Sequence, residues 1–342
     1  MHNKFMKTAA LSALILLVMS VFPVSAASLK EIQRKAKNGD MQAQFELGRA
    51  YHYGSGIKAN YEEAMKWYKK AADKGHAGAD YEIGIMHELG LGVPQNSKRA
   101  MVFFRRAAEK GDAMAQVSLG NKYRYGIEVM QDNEEAVKWY RMAAVQGNYA
   151  GEDGLGEMYN YGLGVKQDYS EAVRWYRKAA EQGFSEAQNH LGDMYAWGRG
   201  VEKNYAEALK WYQRSAEQGD AQGQYSIGQM YYNGYEVKKD YAEALKWYIK
   251  AGEQGHREAQ ATIGYIYFQG EGTDKNYAEA AKWTLLAAAQ GHSQAQANLG
   301  LMYYKGYGVN KDEAESVKWL REAAKQNNHD AQDMLLQLGQ TW

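Results

Sequence analysis

The sequence predicts an all-α chain, an α-solenoid of eight 36-residue helix-turn-helix repeats closed at each end by a half-repeat. Three observations predict it. Glycine recurs in unbroken register at Gly48, Gly84, Gly120, Gly156, Gly192, Gly228, Gly264 and Gly300. A second glycine stands six positions after each, from Gly54 to Gly306. Between them, apolar residues fall at helical rather than alternating spacing. A period of about 20 to 50 residues marks stacked supersecondary units, each burying its apolar face only against its neighbours. Such a chain is suited to holding something rather than converting it.

The chain opens with Lys4 and Lys7, an apolar stretch from Ala9 to Val21, and small residues at Val24-Ser25-Ala26. This pattern reads as a secretory signal peptide over residues 1–26, and its apolar core is shorter than the roughly 20 residues that span a bilayer. The mature chain is expected to begin near Ala27, in the periplasm or outside the cell. Residues 27–40 follow as a capping helix, because Leu29, Ile32 and Ala36 sit one period before Met65, Tyr68 and Ala72. The repeats are expected at 41–76, 77–112, 113–148, 149–184, 185–220, 221–256, 257–292 and 293–328. A C-terminal capping helix lies in 329–342, where Ala331, Leu335 and Leu336 match helix A positions.

Within a repeat, Ala43, Leu47, Ala50 and Tyr51 form the apolar stripe of a first helix, A, capped by Asp40 and ended by Gly54. A short turn carries an apolar residue, Ile57 here and valine in six other repeats. The second helix, B, is announced by Asn or Asp at Asn60, Asn96, Asp132, Asp168, Asn204, Asp240, Asn276 and Asp312, with Glu three residues later except at Arg99. This is the pattern of a capping box, in which the Glu reaches back to the N-cap N–H. Ala64, Trp67, Tyr68, Ala71 and Ala72 form its buried stripe. A mid-helix glycine such as Gly48 costs about 1 kcal/mol relative to alanine. The expected compensation is close approach of helix B through its small residue, Ala64 and its equivalents.

A repeat reading A-Q-x-x-L-G-x-x-Y-x-x-G-x-G-V, then Y-x-E-A-x-x-W-Y and ending E-Q-G, nearly whole from Ala187 to Gly219, resembles the Sel-1-like repeat, a relative of the tetratricopeptide repeat. The resemblance implies a right-handed superhelix whose concave face, lined by helix A, binds other proteins. It also implies, for exported bacterial members, roles as envelope scaffolds, periplasmic regulators or host-interaction factors. A cysteine-rich branch is associated with β-lactams, and this chain departs from it, having no cysteine.

Composition narrows the function further. There are 41 basic and 41 acidic residues, and loss of Lys4 and Lys7 with the leader leaves 39 against 41, a net of about −2. That balance argues against nucleic-acid binding and against adhesion to anionic membranes. No metal site is expected, because His76, His256 and His292 share one repeat position and stand whole periods apart, His52 and His190 lie on helix A, and His87 replaces a core tyrosine. No cofactor and no catalytic residue are expected. The single S-x-x-K match, Ser55 to Lys58, lies in a turn without its companion motifs, and the Gly-x-Gly loops join two helices rather than follow a strand.

The informative residues are those that vary while the frame stays fixed. On helix A the positions of Phe45, Arg49 and His52 share a face. Along the chain this face reads Phe45, Arg49, His52; Tyr81, Ile85, Glu88; Val117, Asn121, Arg124; Asp153, Glu157, Asn160; Asn189, Asp193, Ala196; Tyr225, Gln229, Tyr232; Ala261, Tyr265, Phe268; Ala297, Leu301, Tyr304. Two patches are expected: an aromatic one from Tyr225, Tyr232, Tyr265, Phe268, Leu301 and Tyr304, and an acidic centre from Asp153, Glu157 and Asp193. The aromatic end is read as an anchor for a protein partner. The alternative is that these rings pack against the next repeat. At the level of function, a cell-wall or β-lactam hydrolase and a passive spacer are the competing classes.

Overall fold

The computed structural model describes residues 26–342, so the expected signal peptide lies, but for Ala26, outside the described residues. Among them there are 18 helices and no strand. They fall into two compact units, one ending at Gln167 and one beginning at Asp168, with the division between the two helices of the fourth repeat.

The first unit holds α1 (Ala26–Lys37), α2 (Met41–Tyr53), α3 (Tyr61–Asp73), α4 (Ala77–Leu89), α5 (Ser97–Glu109), α6 (Ala113–Tyr125), α7 (Asn133–Val145) and α8 (Tyr149–Tyr161). The second holds α9 (Tyr169–Glu181), α10 (Ser185–Trp197), α11 (Tyr205–Glu217), α12 (Ala221–Asn233), α13 (Tyr241–Glu253), α14 (Arg257–Gln269), α15 (Tyr277–Ala289), α16 (Ser293–Lys305), α17 (Glu313–Ala324) and α18 (His329–Gln337). Each unit is an all-α stack of the α-solenoid class, with α2, α4, α6, α8, α10, α12, α14 and α16 as helices A.

Caps fix the helix ends. Asp40 accepts from the Ala43 N–H, and Gly54 ends α2 at φ 71°, a left-handed conformation that glycine adopts without penalty. Asn60 caps α3 by accepting from the Glu63 N–H at 3.1 Å. The return arm of the capping box is absent. The Asn60 N–H is already held by the Tyr51 carbonyl at 2.8 Å, which ties the start of helix B to the end of helix A. Glu63 turns outward instead and pairs with Lys66 at 2.6 Å.

The helical glycines serve a different partner from the expected one. A Cβ on Gly48 would stand 2.5 Å from the Tyr68 ring, and the same ring position closes over Gly84 (Phe104), Gly120 (Tyr140), Gly192 (Tyr212) and Gly228 (Tyr248). It is therefore the aromatic residue 20 positions on, rather than the small residue 16 positions on, that needs the glycine. A flat ring lying directly on the backbone buries more area than two methyl groups meeting.

Consecutive repeats are joined by a buried amide seam. Gln188 donates to the Ala180 carbonyl at 3.1 Å and accepts from Gln218 at 2.9 Å. The same two bonds recur at Gln116, Gln260 and Gln296. In the second repeat the position is Asp80, wholly buried, and Arg106 and Lys110 replace the amide donor.

Candidate protein-binding face

The row of helix A positions from Phe45 to Tyr304 is uneven as a surface. Several of its rings are taken up inside their own unit. Phe45 stacks on His76 with ring centroids 4.1 Å apart, and Tyr225 stacks on His256 at 4.6 Å. Both histidines are N-caps of the following helix A: Nδ1 of His76 accepts from the Ala79 N–H, and that of His256 from the Ala259 N–H. Tyr232 donates its hydroxyl to Glu271 at 2.7 Å, and burial together with that carboxylate pushes its ionisation well up. Phe268 packs against Tyr277 and Tyr307, and Tyr81 against Phe104.

The acidic centre is corrected. Asp153 is buried, Glu157 accepts from Arg124 at 2.9 Å, and Asp193 accepts the Tyr212 hydroxyl at 2.6 Å. Burial raises the Asp193 carboxyl above its usual range, with the tyrosine opposing. These carboxylates are engaged within the fold and do not present a free negative surface.

What stays open lies in the second unit. Tyr265 is 44% exposed and Leu301 36%, and Tyr304 keeps a half-buried ring beside Lys305. Arg49, in the first unit, is also exposed and lies over Phe45 and Tyr53. A cavity of about 440 Å³ opens among α12, α14 and α16. Tyr225, Tyr232 and Tyr265 form its aromatic walls, with Gln229 and Asn298 supplying amides and the N-cap His292 at its edge. Nδ1 of His256 and of His292 accepts a backbone N–H, the arrangement of a neutral ring, and burial holds both below the ordinary histidine value. The cavity is thus an uncharged aromatic and amide surface, apart from Glu258, which is bound by Arg257.

Two of its walls, Thr262 and Asn298, belong to a helix A row left out of the sequence reading. That row runs Glu46, Glu82, Ser118, Gly154, His190, Ser226, Thr262, Asn298 and varies as much as its neighbours. Its variability was the available signal. Among the described residues, no group of three or more His, Asp or Glu side chains is placed to hold a metal ion, and no helix is long and apolar enough to cross a membrane.

The Sel1 repeat family profile matches at residues 42–76, 77–112, 113–148, 151–184, 185–220, 221–256, 257–292 and 293–328. The chain belongs to the Sel1 repeat family. Two solved structures are similar to it in sequence as well as in fold. The first is c5321, described as a protective antigen present in uropathogenic Escherichia coli strains and displaying an SLR fold. It is 38% identical, with a TM-score of 0.72 over 91% of this chain and 68% of that one. The second is a Sel1 repeat protein from Oxalobacter formigenes, 31% identical, with a TM-score of 0.67 over 92% of this chain and 91% of that one. Comparison with curated proteins found no match. Sel1 repeat proteins generally mediate protein–protein interaction, and the Sel1 fold is typically a non-enzymatic scaffold.

Proposed function

We propose that this Sel1 repeat chain is exported and holds a protein partner on the helix A face of its sixth to eighth repeats. The carrying observation is the cavity walled by Tyr225, Tyr232 and Tyr265, whose one charged lining residue, Glu258, is paired with Arg257, with Leu301 exposed on the same row of positions as Tyr265. Aromatic side chains beside adaptable amides are the composition of interface anchors. The N-terminal pattern of Lys4, Lys7 and the apolar stretch after them supports export. So does the likeness to c5321, a protein described as a protective antigen.

The test uses the mature chain as bait, with Tyr265→Ala and Leu301→Ala as the altered pair, because neither side chain is needed to close the core. Loss of the captured partner with an unchanged melting curve supports the reading. Full capture by the double variant sinks it. Fractionation of cells bearing a tagged chain decides the location.

A further inference from the structure

The second repeat breaks a rule that the other seven keep. In seven helices B the third residue is Glu and pairs with Lys or Arg three residues on, as in Glu135–Lys138 at 3.0 Å and Glu243–Lys246 at 2.7 Å. In α5 those positions are Arg99 and Val102, and Lys98 precedes them. Two cations thus sit at the positive end of a helix dipole, where a carboxylate is favoured by about 0.3–1 kcal/mol. Val102, in place of a surface cation, is 64% exposed.

The departure extends beyond α5. Met130, at a loop position occupied by Lys58, Lys166 and Lys238 in other repeats, is 89% exposed. Val145, at the end of α7 where five sister helices carry Asp or Glu, is 71% exposed. Isolated apolar side chains on a surface need no explanation, but replacement of charge by aliphatic residues on neighbouring repeats does.

A cavity of about 490 Å³ lies between α5 and the loop before α7, lined by Lys98, Met101, Val102, Arg105 and Val129 among others. Its surroundings are cationic. Arg106 and Lys110 share the single carboxylate of Asp80, and Lys122 holds both Glu88 and Glu128. Of the residues lining the cavity Lys98, Arg105 and Arg106 are cationic and Glu109 and Glu128 acidic, a surplus of one, and Arg99 next to Lys98 adds a second.

We propose that this face of α5 and the loop before α7 docks an acidic protein segment bearing aliphatic side chains. The positive surplus selects its charge, and the cavity beside Val102 receives its apolar side chains. A concave site of this size suits a chain segment rather than a flat bilayer. The proposal concerns a surface of the first unit and does not depend on the aromatic cavity of the second.

The test measures anisotropy of two short labelled peptides of identical aliphatic pattern, one built on Asp, Glu and Leu, the other with Lys at every acidic position. The mature chain is expected to bind the acidic peptide at least about tenfold more tightly, with affinity falling as salt is raised. The double substitution Arg99→Glu with Val102→Lys installs the pair of the sister repeats. It should erase that preference while melting no lower than the parent. Lys98→Ala, which disturbs no packing, should weaken binding about threefold. Equal binding of both peptides, or a preference that survives in the double variant, overturns the proposal. Binding of the chain to anionic phosphatidylglycerol vesicles without binding of the acidic peptide overturns it equally, by assigning the face to a membrane.

Discussion

The ring of Tyr68 closes over the backbone of Gly48, where a Cβ would come within 2.5 Å of it. Gly48→Ala gains about 1 kcal/mol of helix propensity and loses more by displacing the ring, for a net destabilisation of about 1–3 kcal/mol in urea unfolding. Paired with Tyr68→Ala, which removes the obstacle, the same substitution should cost far less than the sum of the singles.

The N-cap histidines make stability sensitive to acid. In His76, His256 and His292, Nδ1 accepts a backbone N–H, so protonation there removes the cap. Nε2 of His76 meets Gln42 and that of His256 meets Gln222, each at 3.1 Å; Asp112 and Asp80 face His76, and Glu258, Asp220 and Arg257 face His256. Burial lowers all three from the ordinary 6.5. The unfolded chain then binds more protons, so their contribution is complete above pH 6.5 and is lost as pH falls toward the lower folded values. Melting temperature should drop between pH 7 and 5, and the drop should shrink in a triple His→Asn variant, asparagine being the cap at Asn148 and Asn328.

Lys122 is buried at a position where five other repeats place methionine, and it pairs with Glu88 at 2.5 Å and Glu128 at 3.2 Å. Glu128 holds φ 64°, a left-handed conformation that six sister loops give to glycine. In the sixth repeat Glu236 holds φ 60° with Met230 in place of the lysine, so the strained turn does not require the ion pair; in this repeat the Lys122–Glu128 pair offsets part of the strain. Lys122→Met with Glu128→Gly should therefore be as stable as the parent or more stable by about 1–2 kcal/mol, whereas Glu128→Gly alone should gain little. Chemical denaturation of the three proteins decides this.

On the aromatic face, exposure separates anchors from packing residues. Tyr265→Ala should change stability by no more than about 0.5 kcal/mol. Tyr225→Ala, which uncovers His256 and Tyr248, should cost about 2–4 kcal/mol. A melting series reporting equal losses at both positions would contradict the division.

Helix ends were readable in the sequence because caps are local: Asp40, Gly54 and Asn60 act within a few residues of where they stand. The ring over Gly48 was not, since its partner lies 20 residues away and depends on which way Tyr68 turns. The amide seam was hidden for a related reason, because a glutamine next to an alanine on a helix reads as surface. The aromatic rows follow from helical spacing, but whether a ring is open depends on the residue opposite it in the next repeat. Phe45 and Tyr225 are covered by His76 and His256, a pairing visible in the sequence only as a coincidence of two variable positions.

Across the repeat boundary Gln188 donates to the Ala180 carbonyl, Gln260 to that of Gly252 and Gln296 to that of Ala288, so each copy presents the same donor and acceptor to its neighbours. A repeat duplicated whole would meet matching chemistry on both of its sides. Growth or loss of the chain in steps of one period therefore needs no invention of a new junction, and mutation is left free to act on the outward rows. Length and surface chemistry become separate variables on which selection can work independently.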